Sequence, residues 1–185
     1  MVILASASPR RRELFKQIAD NFQIITANID EKTSYNLSPL QAVLDIAKRK
    51  GLKVKESHPN DIIVSADTIV VINDQIIGKP IDEEDAKRIL RKLSNRKHQV
   101  ITAYCLFNKD RFIEKYVISD VYFNELSEKL IEDYVNSKSP LDKAGAYGVQ
   151  DNEQYHIINK VIGSVSNVIG FPIEEIEKDF KEIQK

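Results

Sequence analysis

The chain has no tryptophan, one cysteine, one methionine and three histidines in 185 residues. A single cysteine, Cys105, excludes a disulfide within the chain and argues against a thiolate metal site. Set in an apolar, strand-like stretch, it reads as a small buried hydrophobe. His58, His98 and His156 are scattered singly, without the spacing of a zinc motif. A bound metal is therefore expected to take oxygen ligands, which points to Mg²⁺ or Mn²⁺. Long apolar runs are also missing. None approaches the roughly 18 residues of a membrane helix, and the N-terminus lacks the basic-then-apolar order of a signal peptide, so a cytoplasmic protein without a membrane partner is expected.

Charge of one sign is absent as well. Lys plus Arg number 27 and Asp plus Glu 28, a formal net charge of -1. No global field is available to hold a nucleic acid or an anionic membrane, so no stable nucleic-acid partner is expected and any anion site must be local. With 42% hydrophobic and 30% charged residues, the composition suits one compact domain over 1–185, or two small lobes sharing a core.

What is present reads as alternating strands and helices. Val2 to Ala5 is a short buried strand, and Ser8-Pro9 supplies an N-cap and a proline at the first helical position, with Leu14, Phe15 and Ile18 at helical spacing. Phe22 to Ala27 is extended. A second Ser-Pro start, Ser38-Pro39, opens a helix with Leu40, Val43, Leu44 and Ala47 on one side and Gly51 where a C-terminal cap belongs. Ile62 to Ile72 is a β-branched run that returns through Asn73-Asp74 as a hairpin. A helix over Asp82 to Leu93 carries acids first and bases later, the order that complements its dipole. Strands over Gln99 to Phe107 and Phe112 to Phe123, a helix from Ser127 to Asn136, a glycine-bearing loop from Pro140 to Gln150, a strand over Ile157 to Ile162, a punctuated stretch from Gly163 to Pro172 and an amphipathic C-terminal helix complete the chain. The pattern predicts an α/β fold, a mixed sheet with helices packed on it.

Two features carry chemistry. Arg10, Arg11 and Arg12 fall in the first turn of the helix begun by Ser8-Pro9, where cations oppose the macrodipole. A phosphate would offset that cost, with Ser6 and Ser8 adding donors; a solvated basic turn is the other reading. Asp67 sits between Ile62-Ile63-Val64-Ser65-Ala66 and Ile69-Val70-Val71-Ile72, a carboxylate inside an apolar strand. Left unpaired there it would be costly, so either a cation keeps it ionised or it becomes a usable general base. A backbone-bonded aspartate at a bulge is the plainer alternative. Lys50 ends the second helix and Lys79 sits in Gly78-Lys79-Pro80, a rigid turn able to aim an ammonium. That turn is not a P-loop, since Asn73 replaces the earlier glycine and Pro80 follows the lysine. Asp30 and Glu31 form an acidic pair in a loop, open to Mg²⁺ or simply to solvent.

In order along nearly the whole chain, Leu4-Ala5-Ser6-Ala7-Ser8-Pro9-Arg10-Arg11, Ser65-Ala66-Asp67-Thr68-Ile69-Val70, Gly78-Lys79-Pro80, Leu93-Ser94 with His98-Gln99-Val100-Ile101-Thr102-Ala103, Asp142 to Gln150, and Asn167-Val168-Ile169-Gly170-Phe171-Pro172 resemble the motifs of the Maf family of nucleoside triphosphate pyrophosphatases. The resemblance implies an elongated mixed sheet flanked by helices, two lobes around a nucleotide-binding cleft, a divalent cation and a homodimer. It makes Ser6, Arg10, Arg11, Lys50 and Lys79 phosphate ligands, Asp67 the proton acceptor, and Glu31 and Asp67 the metal-side carboxylates. Arg10, Thr68 and Gln150 fall at positions that tune substrate choice, and Thr68 with the intact Ala144 to Gln150 run is similar to the branch acting on dTTP and UTP. Val165, Gly51 and Asn152-Glu153 depart from the usual family residues, in places that touch loop shape rather than phosphate ligands. A nucleotide-binding regulator of cell division without turnover is the rival from another class, and a phosphatase releasing inorganic phosphate the rival enzyme.

Overall fold

A computed structural model of the chain describes residues 1–32 and 37–185. Among these residues seven strands form one sheet in the order β2-β1-β3-β5-β6-β7, with β4 paired to β3: β1 is Val2–Leu4, β2 Gln23–Ile24, β3 Ile62–Ile72, β4 Gln75–Ile77, β5 Lys97–Phe107, β6 Phe112–Phe123 and β7 Ile158–Ile162. Seven α-helices accompany it: α1 Pro9–Phe15, α2 Pro39–Lys55, α3 Glu83–Leu93, α4 Glu128–Asn136, α5 Asn152–Tyr155, α6 Val165–Ile169 and α7 Ile173–Ile183. The mixed α/β architecture expected from the pattern is present. None of the described helices is long and apolar enough to cross a membrane. The chain divides into two compact units, one comprising Met1–Thr68, Thr102–Val117 and Gly170–Lys185, the other Ile69–Ile101 and Ile118–Ile169.

In the first unit β1 runs parallel to β2 and β3, with Ile3 opposite Gln23 and Ile63. Leu4, Phe15, Val64, Ala66, Tyr104, Phe171, Ile176 and Phe180 form its core. The Phe15 ring meets those of Phe22, Phe171 and Phe180 edge-on at 4.9, 5.8 and 5.6 Å. Each such side chain contributes about 1.5–3 kcal/mol by leaving water. Helix α1 stops at Phe15, earlier than the spacing of Leu14, Phe15 and Ile18 suggests; tight turns from Leu14 O to Gln17 N and Phe15 O to Ile18 N take over. All three side chains still reach the core. Cys105 is fully buried, which pushes its thiol up to about 12.

Helix α2 begins with a reciprocal cap, Ser38 Oγ accepting from Gln41 N while Gln41 Oε1 accepts from Ser38 N. It then runs through Gly51 to Lys55, so Gly51 is not a terminal cap. The reason is steric: a Cβ on Gly51 would lie 2.2 Å from the Phe107 ring and 2.7 Å from Ser65 Oγ. Glycine lets the helix approach β3 and β5 closely.

In the second unit β3 turns back at Asn73 and Asp74, both with positive φ, and pairs antiparallel with β4, Val70 facing Ile77. Helices α3 and α4 pack Ile89, Leu90, Leu93, Ile131 and Tyr134 with Val100, Phe123 and Tyr147. The segment expected as a loop between Pro140 and Gln150 consists largely of short 3₁₀ turns, Ser139–Asp142, Ala144–Ala146 and Val149–Asp151. His98, 2% exposed, sits in this core with Nε2 at 2.7 Å from the Tyr147 hydroxyl, and its Nδ1 has no hydrogen-bond partner among the described residues. Burial drops its pKa from 6.5 to about 4, because a charged imidazole would lose its hydration. The unfolded chain takes up this proton first, so stability is intact above pH ~6.5 and falls as the pH drops through that value toward 4. This one group should cost about 3 kcal/mol over that window. Thermal unfolding at pH 7 and pH 4 should show a smaller loss of Tm for His98→Gln than for the wild type; equal losses would refute the assignment.

Candidate active site

The alternation of β3 sets up the site in the first unit. Ala66 points into the aromatic core, so Ser65 and Asp67 point the other way, toward α2. There Ser65 Oγ donates to Ala47 O at 2.7 Å and Lys50 Nζ donates to Asp67 Oδ1 at 2.7 Å. Strand residues two apart thus meet helix residues three apart, a match of the two periods. Asp67 is 9% exposed, and the cation that pairs with it is Lys50. The same ammonium lies 2.8 Å from Glu31 Oε1. One lysine gathers two carboxylates, and two of its three donors are so used.

Arg11 provides the second anchor. Its Nε donates to Gly170 O at 2.9 Å, one terminal nitrogen to Ala66 O at 2.8 Å and to Ser6 Oγ at 3.4 Å, and the other to Thr68 Oγ1 at 3.0 Å. The guanidinium is wrapped in protein acceptors on both sides of Asp67. Burial lowers its pKa from the ordinary arginine value; Asp67 opposes that shift, Arg10 adds to it, and Glu31 opposes it. Arg11 therefore lies within electrostatic reach of Asp67, Arg10 and Glu31, and the first unit brings Ser6, Arg10, Arg11, Glu31, Lys50, Asp67 and Thr68 into one neighbourhood.

Two of the first-turn amides of α1 bond within the chain itself. Pro9 has no N–H, Arg11 N donates to Ser8 Oγ and Arg12 N to Ser8 O. These groups are spent on capping. The helix is seven residues long, so Arg12 also stands in its last turn, where a cation is favourable. Arg12 itself is exposed.

Two site neighbours were not singled out from the sequence. Thr102 Oγ1 lies 2.9 Å from Thr68 Oγ1, and Gly170 O accepts from Thr68 Oγ1 at 3.3 Å as well as from Arg11. Gly170 has φ +114, a conformation that favours glycine, and a Cβ there would lie 3.3 Å from Thr68 Oγ1. Both residues stand in motifs quoted above, but neither has reactive chemistry to draw attention to it.

Lys79 and Gln150 belong to the second unit. Both are exposed. Lys79 follows Gly78, whose carbonyl accepts from Gly145 N at 3.0 Å, so the Gly78-Lys79-Pro80 turn is tied to the segment that leads to Gln150.

Among the described residues no group of three or more His, Cys, Asp and Glu converges as a ready metal cage. The pair Glu31 and Asp67, both drawn to one ammonium, is nevertheless a donor set suited to Mg²⁺ or Mn²⁺, which use one or two carboxylates and complete their shell with water and phosphate oxygens.

The chain is thus a mixed α/β protein whose site sets a strand-borne carboxylate beside a lysine and an arginine. The structure of the Staphylococcus aureus Ham1 protein shares the fold, with a TM-score of 0.54 at 13% identity, covering 100% of this chain and 99% of that one. In sequence, the family described as Maf-like protein matches residues 1–183. The dTTP/UTP pyrophosphatase of Clostridioides difficile is 41% identical over 177 residues, covering 95% of this chain and 91% of that protein. The dTTP/UTP pyrophosphatase of Pyrococcus furiosus is 40% identical over 177 residues, covering 96% and 92%. The chain belongs to the Maf family.

Because Arg11 spends its fork on protein oxygens, Arg11→Lys should destabilise the protein by about 2 kcal/mol or more, a lysine being unable to reach Ala66, Gly170 and Thr68 together. Denaturant unfolding measures this. An unchanged midpoint would show that Arg11 is not a structural clamp.

Proposed function

We propose that the chain hydrolyses dTTP and UTP, and modified pyrimidine nucleoside triphosphates that fit the same site, to the monophosphate and pyrophosphate, clearing the nucleotide pool. The observation that carries this reading is Asp67, a buried carboxylate on a central strand held beside Lys50, Arg11 and Glu31. The activity named for relatives at 41% and 40% identity supports it. Water attacks the α-phosphorus and gives up a proton to Asp67; the bond to the bridging oxygen breaks and pyrophosphate leaves. No covalent nucleophile is needed, so catalysis reduces to positioning and charge.

Each cation has a different part. Lys50 has a third donor for a phosphate oxygen while it faces the two carboxylates. Arg11, with its fork committed to protein oxygens, acts as a fixed positive charge and holds β3 in line. Ser6 contributes a hydroxyl, and Arg10 and Lys79 contribute charge to the phosphates. Gln150 presents an amide that hydrogen-bonds a base edge, and with Arg10 and Thr68 it tunes substrate choice. Glu31 and Asp67 would hold a divalent cation, which when bound supplies positive charge against the phosphate oxygens.

A cytoplasmic homodimer is part of the same reading. Ile162 and Val165, 53% and 48% exposed, offer apolar surface to a second copy. The mass in solution tests it.

Incubation with UTP and Mg²⁺ or Mn²⁺ should release UMP and pyrophosphate; UDP and inorganic phosphate would mean a different reaction. Asp67→Asn should lower kcat at least about 100-fold while UTP still binds, the loss expected when a proton acceptor is removed. Retained turnover in that variant would overturn the role of Asp67. Wild-type binding without release of pyrophosphate would overturn hydrolysis itself.

A further inference from the structure

The segment from Ser139 to Asp151 in the second unit is a chain of short 3₁₀ turns, so its course is set by side-chain bonds more than by a helix or strand ladder. Those bonds converge on two groups. Asp151 Oδ2 accepts from the Tyr134 hydroxyl at 2.6 Å and from the Ser139 hydroxyl at 2.8 Å. The Tyr134 oxygen in turn accepts from Gly148 N at 3.1 Å. Asp151 N donates to Gly148 O at 3.1 Å and closes the turn around Val149 and Gln150. One phenol and one carboxylate thereby fasten the start, middle and end of the segment, and Gln150 stands between two of the fixed points with its own side chain exposed.

Space is as restricted as direction. A Cβ on Gly148 would fall 2.8 Å from Lys143 Cε, 3.0 Å from Asp151 Oδ2 and 3.1 Å from Gln150 Cδ. Lys143, 8% exposed, donates to Asp142 Oδ1 at 2.8 Å and to Ser139 Oγ at 3.1 Å, filling the inside of the segment. Tyr134 is fully buried on α4 and its ring packs against that of Tyr155 at 4.6 Å. The ring serves the core. Among the described residues the hydroxyl bonds within this segment, to Asp151 and Gly148, and burial together with Asp151 raises its pKa, so it stays a donor at neutral pH.

We propose that Tyr134 and Asp151 are positioning residues for base selection: their hydrogen bond fixes the 148–151 turn and so the direction in which Gln150 presents its amide. This rests on the reading of Gln150 given above. A site built to satisfy particular donors and acceptors rejects the wrong base by leaving those groups unpaired, and that rejection weakens when the amide can swing.

Tyr134→Phe keeps the ring and removes only the hydroxyl. Pyrophosphate release should be measured for wild type and variant with UTP, dTTP, CTP and GTP, giving kcat and KM for each alongside Tm. The variant should keep kcat for UTP within about threefold, raise its KM about tenfold, and narrow the UTP-to-CTP ratio of kcat/KM by about tenfold, the factor one lost hydrogen bond produces. Tyr104→Phe is the control. It removes another buried hydroxyl, the one donating to Asp179 at 2.8 Å in the first unit, and should lower Tm with the ratio unmoved. Should Tyr134→Phe fail to fold, Asp151→Asn carries the same test. A ratio unchanged in the Tyr134 and Asp151 variants, or an equal loss for every nucleotide, would overturn the inference while the pyrophosphatase reading stands. No turnover by the wild type would overturn that reading and this inference with it.

Discussion

A carboxylate in the middle of an apolar strand needs a cation, and the bond between Lys50 and Asp67 is the interaction around which the first unit is organised. Lys50 reaches Asp67 because α2 packs closely on β3, and α2 packs closely because Gly51 has no side chain to hold it off Phe107 and Ser65. The pair costs solvation on both sides, which a hydrophobic pair would not. That cost makes sense where a charge is wanted at that spot. Glu31, drawn to the same ammonium, turns a simple pair into a small charged cluster.

Arg11 solves a different problem. The strand must hold Asp67 steady while the residues on either side have their own demands, and a single guanidinium bonds Ala66 O and Thr68 Oγ1 while also taking Gly170 O from the chain that leads into α7. Three separate stretches of sequence are thus locked to one planar group. A lysine in its place offers a point charge without the fork. The second unit uses the same economy at its own loop, where Asp151 and Tyr134 fasten turns that have few backbone bonds of their own.

Much of this was legible in advance. Ser-Pro starts, the β-branched run around Asp67 and the Asn73-Asp74 turn are local signals with local causes, and α2, β3 and the β3–β4 hairpin follow them. Asp67 stood out because its neighbours are apolar, which left a cation, a raised pKa or a backbone bond as ways to accommodate it, and the structure supplies the cation. Less was visible at Arg11. Its position suggested an anion ligand, and the structure adds protein oxygens that take most of its donors; apart from Ser6, these acceptors come from residues 55 to 159 positions away. The early end of α1 was hidden for a similar reason: Leu14, Phe15 and Ile18 reach the core by way of tight turns as well as by a continued helix.

From its own order of residues the chain determined its long strands and its longer helices, the burial of Cys105, the balanced charge that leaves any anion to a local site, and the ordered motifs of its family. Those properties depend on near neighbours and on composition. Only the tertiary structure decided which cation answers Asp67, that Gly51 is a point of close approach, that Thr102 and Gly170 stand behind Thr68, and that Tyr134 holds the turn carrying Gln150. Each of these joins residues distant along the chain, and a contact across such distances is selected by packing and hydrogen-bond geometry that no local pattern records.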